Sequence, residues 1–288
     1  MTEPTFSLRP GRPVDAKACA RVCYEAFATI ARQHSFPPDF PSVEVAADLM
    51  TMLLAHPRFF SVVAESGGQV VGSNFLDERS PVAGLGPITV DPKVQNRRIG
   101  RALMQAALDR ATARSCPGVR LLQSAYHTRS LALYTTLGFH PREPIACMQG
   151  APVRIDLPAH QVRRAVAADL EACNRVCAAV HGHDRSGELL DAITQGTARV
   201  VEHDNRITGY ATDLAFFAHA VGETTRDLIA LIGAAEAFGG PGILVPVRNA
   251  ALFRWCLAHG LRVVQVMTLM TIGLYNEPAG AYLPSVLY

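Results

Sequence analysis

Apolar positions along this chain switch repeatedly between an alternating spacing and a spacing of three to four residues. The first is typical of half-buried strands and the second of amphipathic helices, so the pattern predicts an α/β fold with a mixed sheet. In the first half, strands are predicted near 6–9, 59–65, 69–78, 85–90, 119–125 and 139–149, and helices near 13–31, 42–55, 97–114 and 128–137. In the second half, strands are predicted near 198–203, 206–217, 242–247 and 262–274, and helices near 223–237 and 249–259.

The second half repeats the first in sequence as well as in pattern. The segment Ala18-Cys19-Ala20-Arg21-Val22-Cys23 recurs as Ala172-Cys173-Asn174-Arg175-Val176-Cys177, and at the same offset Arg9 and Asp15 correspond to Arg163 and Asp169. Each copy therefore begins with a strand, an aspartate near a helix start and an amphipathic helix. We interpret the chain as two tandem domains, 1–150 and 151–288, because glycine and prolines interrupt the pattern between Gly150 and Ala159.

Composition excludes several classes of function. With 288 residues, 49% of them apolar, the chain can form one large or two medium cores. A formal net charge of +2 is too small to indicate a nucleic-acid-binding surface. The N-terminus has no apolar signal segment, and the most apolar stretch, 228–247, is interrupted by Glu236, glycines and two prolines. We expect a soluble cytoplasmic protein that binds neither nucleic acid nor membrane. The sequence does not determine its oligomeric state.

The seven cysteines form no dense framework, so reduced thiols are expected. Two pairs, Cys19/Cys23 and Cys173/Cys177, are spaced to lie on one face of a helix, where they could clamp a metal ion. A free cysteine more often packs as a small apolar side chain. We therefore expect no metal site.

The run from Val90 to Ala102, V-D-P-K-V-Q-N-R-R-I-G-R-A, joins a strand-like segment to a helix-like one. Such a turn leaves N–H groups without partners at the positive end of the helix dipole. Gly100 leaves room for a ligand, and three arginines add positive charge: Arg97, Arg98 and Arg101. Because arginines are unfavourable in a first helical turn unless an anion lies there, the run predicts a phosphate or pyrophosphate site. It is neither a Walker loop nor a dinucleotide fingerprint.

This run resembles the acyl-coenzyme A loop of the GNAT N-acetyltransferase superfamily, [Q/R]-x-x-G-x-[G/A], a pattern that residues 97–102 satisfy. A second block, 127–139, resembles that family's N-x-x-A-x-x-L-Y-x-x-x-G-F at the expected distance. Arg98 stands where many members have glycine, and His127 and Ser130 depart from the second pattern. The resemblance covers about residues 6–150.

The resemblance implies two tandem GNAT-like domains, each with a mixed, mostly antiparallel sheet flanked by helices, and acetyl-CoA as co-substrate. It implies that the 95–102 turn holds the pyrophosphate and that backbone N–H groups near 88–90 contact the thioester carbonyl. The residues implied to bind acetyl-CoA are Ile88, Thr89, Val90, Gln95, Asn96, Arg97, Arg98, Ile99, Gly100, Arg101, Ala102, Arg129 and Tyr134.

Three side chains are candidates for proton transfer. The resemblance implies that the Tyr134 hydroxyl protonates the departing thiolate, although a tyrosine at this place could simply anchor helix to sheet. Asp77 and Glu78 end a predicted strand near the path of an amine, so either could act as the general base. They could also form a solvated acidic turn, with water accepting the proton.

The second copy lacks this chemistry. It has no acyl-CoA loop and no arginine cluster, Glu223 stands in the first turn of its corresponding helix, and Cys256 replaces Tyr134. An acid at that position opposes a pyrophosphate, which indicates a degenerate domain. The tail, 275–288, contains three tyrosines and either packs on the surface or reaches back to the first domain's cleft.

The sequence thus predicts an N-acetyltransferase that transfers an acetyl group from acetyl-CoA to a primary amine of a small molecule, peptide or protein. The main alternative is a non-catalytic acyl-CoA-binding or sensing protein on the same fold. A metal or redox protein built on the helix cysteines is a third hypothesis. No run of acids and no aromatic cluster in the sequence identifies the acceptor.

Overall fold

The computed structural model describes residues 6–287, within which eight α-helices and fourteen strands are assigned. The first half contains β1 (Ser7–Pro10), α1 (Ala16–Gln33), α2 (Val43–Ala55), β2 (Phe59–Ser66), β3 (Gln69–Asp77), β4 (Ala83–Leu85), β5 (Thr89–Val90), α3 (Ile99–Ala113), β6 (Gly118–Ser124), α4 (Thr128–Thr136) and β7 (His140–Gln149). The second half contains β8 (Gln161–Arg164), α5 (Leu170–His181), α6 (Ser186–Gln195), β9 (Arg199–His203), β10 (Arg206–Ala211), β11 (Ala220–Gly222), α7 (Thr225–Gly233), β12 (Ile243–Pro246), α8 (Ala250–Ala258), β13 (Arg262–Gly273) and β14 (Ala281–Leu283).

The second half departs from the predicted elements in three places. The strand predicted at 206–217 ends at Ala211, α6 and β11 are additional elements, and the tail contributes β14. The strand ends early because the chain turns at Asp213, whose carboxylate accepts a hydrogen bond from the Leu214 N–H. No helix within the described range is both long and apolar enough to cross a membrane.

The paired cysteines of both copies are core residues. Cys19, Cys23, Cys173 and Cys177 are fully buried on the inner faces of α1 and α5. Burial raises the pKa of Cys19 to about 11 and that of Cys173 to about 12, so these thiols stay protonated at neutral pH. In residues 6–287, no cluster of three or more His, Cys, Asp or Glu side chains could hold a metal ion.

The internal repeat is visible as two matching ion-pair networks. The Arg9 guanidinium donates to both carboxylate oxygens of Asp15, at 2.7 and 2.9 Å, and Arg163 donates to Asp169 at the same distances. Each arginine also bonds a glutamate on the next strand, Glu65 in the first copy and Glu202 in the second. The residues matched by sequence therefore hold the same structural position, fixing the first strand of each copy against its first helix.

We expect Asp15→Ala to lower the free energy of unfolding by about 1–2 kcal/mol, because it removes two charge-assisted hydrogen bonds and one from the Arg12 N–H. Arg9 holds the pKa of Asp15 below its usual value, so this stabilisation is present at neutral pH and is lost as the pH falls through that lowered pKa. Urea titrations at neutral and acidic pH measure it. Asp109→Ala, at an exposed position of α3, is the control and should change stability by less than about 0.5 kcal/mol. A loss at Asp15 that is equal at both pH values would contradict this account.

The two copies exchange strands. The larger sheet has the order β1-β2-β3-β4-β6-β13-β7-β12, with β5 paired to β3, and the smaller has the order β14-β11-β10-β9-β8. The second copy's β13 therefore lies between β6 and β7, and the first copy's β7 lies between β13 and β12. The boundary proposed near Gly150 divides the sequence copies, whereas the sheet runs across it.

The central part of the larger sheet opens into a gap. Strand β4 pairs in parallel with β6 at only two positions, Ala83↔Val119 and Gly84↔Arg120. The following strand, β5, pairs with β3 and not with β6. The segments 85–90 and 121–124 therefore separate from each other, and the N-terminus of α3 lies beside the gap.

Candidate active site

A cavity of about 770 Å³ occupies this gap. Its walls come from α1, the loop before α2, the segment 85–90, the start of α3, the end of β6 and the inner face of α4. Five further lining residues come from the second half of the chain: Phe216, Phe217, Met267, Val286 and Leu287. The cavity is therefore built by both copies, and the tail reaches it.

The start of α3 presents free backbone donors to this cavity. Arg98 precedes the helix in the left-handed conformation, with φ 62°, and the Ala102 N–H donates to the Arg98 carbonyl at 3.0 Å. The preceding N–H groups, those of 99–101, therefore have no helical acceptor and lie at the positive end of the helix dipole. A Cβ atom at Gly100 would lie 3.7 Å from a Leu133 methyl group and 3.8 Å from a Val90 methyl group, so only a larger side chain would obstruct the approach.

Most of the residues predicted to bind acetyl-CoA meet at this cavity. Those that line it are Ile88, Thr89, Val90, Gln95, Asn96, Arg98, Ile99, Gly100, Arg101, Arg129 and Tyr134. Arg97 and Ala102 are not among the lining residues. The prediction for these two residues is not supported by the geometry.

Two of the lining arginines are fixed by neutral partners. Arg129 donates to the Gln95 side-chain oxygen at 2.7 Å, and Arg101 donates to the Thr136 hydroxyl at 2.8 Å. Neither side chain forms an ion pair within residues 6–287. Both positive charges thus remain available to a polyanionic ligand beside the N-terminus of α3.

The strand β5 turns one backbone donor toward the gap. The Asp91 N–H donates across to the Val71 carbonyl, and successive N–H groups of a strand point in opposite directions. The Val90 N–H therefore points away from β3, on the side where the Gln95 amide donates to the Val90 carbonyl at 3.1 Å. This is where a donor to a thioester carbonyl is expected.

Tyr134 lies on α4 at the inner wall of the cavity and is 8% exposed. Its ring packs against Phe139, with 6.3 Å between ring centroids. Burial raises the pKa of its hydroxyl well above the ordinary value, because the phenolate would be poorly solvated there. Tyr134 is therefore protonated at neutral pH, which the proposed acid requires.

Asp77 and Glu78 lie outside the cavity, contrary to the prediction that one of them is the general base. Glu78 bonds Arg110 at 2.7 Å and also contacts Arg114, and these arginines hold the pKa of its carboxyl below the ordinary value. Asp77 is held by Arg79 at 2.6 Å. Both carboxylates are thus buried structural ion-pair partners, and the geometry supports neither as the base.

Another carboxylate, that of Asp39, lies at the cavity and was not predicted from the sequence. It lies in the loop between α1 and α2 and lines the cavity. Gln265 of β13 donates to its Oδ1 at 2.9 Å, while its Oδ2 is buried without a hydrogen-bond partner among the described residues. Nothing near Asp39 in the sequence marks it, because its partner comes from the other copy.

In the second copy, the tail occupies part of the corresponding gap, and a cavity of about 570 Å³ remains at the start of α7. Strand β14 pairs with β11, at the position where the first copy is open. At the start of α7, Asp227 accepts hydrogen bonds from the N–H and hydroxyl of Thr224 and so caps the helix N-terminus. Cys256, at the position of Tyr134, is buried with its pKa raised to about 12. At this cleft the helix start therefore carries its own acid, and the Tyr134 hydroxyl has no counterpart.

Known proteins share both the sequence features and the architecture of this chain. The model of the acetyltransferase (GNAT) family matches residues 25–139. A mycothiol acetyltransferase from Nocardia farcinica is 38% identical over 65 residues, which span 23% of this chain and only 22% of that protein. A Pyrococcus horikoshii protein proposed to be an acetyltransferase has a TM-score of 0.75 at 16% identity, with 98% of this chain and 95% of that chain covered. A tandem GNAT protein from the clavulanic acid biosynthesis pathway has a TM-score of 0.57 at 15% identity, with 93% and 98% covered.

The chain thus has the fold of a tandem GNAT protein, with two copies of one α/β domain. The match to the GNAT family model lies within the first copy, at residues 25–139. The second copy shares the fold, in the tandem arrangement of the structural neighbours.

Proposed function

We propose that the protein is an N-acetyltransferase that transfers an acetyl group from acetyl-CoA to a primary amine of a small molecule, peptide or protein. The observation that carries this proposal is that the open N-terminus of α3 and the buried, protonated Tyr134 line one cavity. The N-terminus of α3 suits the anionic end of an acyl carrier, and the Tyr134 hydroxyl suits the thiolate that leaves the acyl group. The remaining space must admit the acceptor.

The residues of the first copy fit coenzyme A by their donor chemistry. The N–H groups of 99–101, with Arg101 and Arg129, offer donors and positive charge for a pyrophosphate. Gly100 leaves the space that a phosphate needs for close approach. The gap between 85–90 and 121–124 is open for an extended arm.

Acetyl-CoA supplies the acetyl group as a thioester. The Val90 N–H is placed to donate to the carbonyl oxygen as negative charge develops on it. In this mechanism Tyr134, which is protonated at neutral pH, gives its proton to sulfur when the carbon–sulfur bond breaks. Leu121 and Leu133 add apolar walls to the space proposed for the thioester.

We expect Tyr134→Phe to lower kcat by about 10²–10⁴-fold, because it removes the proposed proton donor. The affinity for coenzyme A should stay within about threefold of the parent's, since the aromatic ring and its packing remain. Steady-state rates and calorimetry measure the two quantities. Tyr24→Phe, on α1 outside the cavity, is the matched control and should leave both unchanged. Parental turnover in Tyr134→Phe would remove this tyrosine from the mechanism.

The proposal is tested by release of free coenzyme A thiol from acetyl-CoA in the presence of a panel of primary amines. Thiol release that depends on the amine, with formation of the N-acetyl product by mass spectrometry, supports the enzyme. Tight coenzyme A binding with no amine-dependent release across the panel would instead favour the non-catalytic acyl-CoA-binding alternative. In either case, binding should be abolished by a charge at Gly100 if the site is correctly placed.

A further inference from the structure

The part of the cavity away from the α3 turn is aromatic. Phe27 and Phe40 pack edge to face with ring centroids 5.7 Å apart, and Phe216 and Phe217 pack in the same way at 5.5 Å. The first pair comes from α1 and the loop after it, and the second from the loop before β11. The apolar wall is completed by Met267, Val286 and Leu287. A hydrophobic surface of this kind binds apolar groups of matching size.

One charged group faces this aromatic region, the carboxylate of Asp39. Its titratable neighbours are Cys23, Tyr126 and Cys147, each of which stays neutral at pH 7 because burial raises its pKa. No ion pair involves Asp39 within residues 6–287. A buried carboxylate oxygen with no donor is costly, and such groups in proteins normally have a partner. The Oδ2 atom therefore has room for a hydrogen-bond donor from a ligand in the cavity.

We propose that the acceptor is a primary amine carried on an apolar group of about the size of a benzene ring, with its ammonium on Asp39 and its carbon skeleton against Phe27, Phe40 and Phe217. This inference rests on the proposed acetyltransferase function. It assigns to Asp39 the role of proton acceptor that geometry withdraws from Asp77 and Glu78. Polyamines would need further carboxylates, and amino sugars would leave their hydroxyl groups unpaired against the phenylalanines.

The proton balance of this step is complete. The ammonium gives one proton to Asp39, which frees the lone pair on nitrogen. The neutral amine uses this lone pair to form the new nitrogen–carbon bond at the thioester carbonyl. The carbon–sulfur bond breaks, its electrons stay on sulfur, and sulfur takes the Tyr134 proton. The nitrogen gives its second proton to the tyrosinate, and Asp39 later releases its own to solvent. The products are one amide, one thiol and one proton.

Three amines of different chemistry test the inference in the full-length protein: 2-phenylethylamine, glucosamine and spermidine. We expect kcat/KM for 2-phenylethylamine to exceed that for each of the others by at least about tenfold. Phe217→Ala should raise KM for 2-phenylethylamine about tenfold and leave the affinity for coenzyme A unchanged. Faster acetylation of glucosamine or spermidine would overturn the inference and leave the proposed function intact. No thiol release with any of the three amines would overturn the inference, and failure across a wider amine panel as well would overturn both.

Asp39→Asn tests the proposed contact with the amine without disturbing the fold. The asparagine side-chain oxygen can still accept the hydrogen bond from Gln265. We expect kcat/KM for 2-phenylethylamine to fall by at least about 10²-fold, with parental coenzyme A affinity by calorimetry. Burial raises the pKa of Asp39, so the parent's kcat/KM should decline as the pH falls through that pKa, and the variant should lose this decline. A variant with the parental rate and pH profile would contradict the role of Asp39.

Discussion

Coenzyme A should no longer bind when Gly100 is replaced by glutamate. The new carboxylate would lie at the N-terminus of α3, where the pyrophosphate is proposed to accept hydrogen bonds from the N–H groups of 99–101. Two unit charges of like sign about 4 Å apart repel by about 4 kcal/mol near a protein surface. That energy corresponds to a loss of about three orders of magnitude in affinity. Isothermal titration calorimetry with coenzyme A measures it directly.

Gly100→Ala is the matched control for this variant. Its methyl group meets only ordinary contacts, at 3.7 Å from Leu133 and 3.8 Å from Val90, so affinity should stay within about threefold of the parent's. Alanine is also the better helix former, so stability should not fall. Normal affinity in Gly100→Glu would refute the placement of the pyrophosphate. If both variants lost affinity, the space around Gly100 would be too small for even a methyl group once coenzyme A is bound.

Removal of the second copy should prevent the first from folding. A chain that ends at Gly150 lacks β13, which pairs with β6 on one side and β7 on the other. Three buried β13 side chains, Met267, Leu269 and Met270, would leave the core. Each contributes about 1.5–3 kcal/mol, and their sum is comparable with the whole stability of a typical domain, about 5–15 kcal/mol. Three strand edges would also lose their partners, one of β6 and both of β7, because β12 is removed as well. Unpaired edges favour aggregation.

Coexpression supplies the control for this truncation. The fragments 1–150 and 151–288, produced together as separate chains, should copurify and bind coenzyme A, because strand exchange joins them without the covalent link. The fragment 1–150 alone should be insoluble or unfolded by circular dichroism. A soluble, monomeric 1–150 fragment that binds coenzyme A with parental affinity would contradict the structural role of β13.

The turn that begins α3, with its free backbone donors, could be predicted from sequence because it is local. The backbone donors, Gly100 and the arginines all lie within residues 95–102, so the pattern of a strand followed by a helix was sufficient to place them. The internal repeat was equally readable, since Arg9 and Asp15 recur at a fixed offset as Arg163 and Asp169. Both features depend on neighbours in the chain.

The acceptor region could not be predicted because it is assembled from distant segments. Phe40 and Phe217 face one cavity although they lie 177 positions apart, and Gln265 reaches Asp39 only through the strand exchange. Asp77 and Glu78 looked suitable by position, but their local pattern could not reveal that Arg79 and Arg110 would bind them. Strand exchange itself leaves no local signal, because β7 and β13 have the same pattern whichever copy they join.

We propose that coenzyme A binds only to the first copy, on the turn that begins α3. A crystal structure of the full-length protein with coenzyme A tests it most directly. We predict one molecule per chain, with its pyrophosphate on the N–H groups of Ile99, Gly100 and Arg101 and its sulfur near Tyr134. A pyrophosphate bound instead at the start of α7, beside Glu223 and Thr224, would contradict the claim and assign the carrier to the second copy.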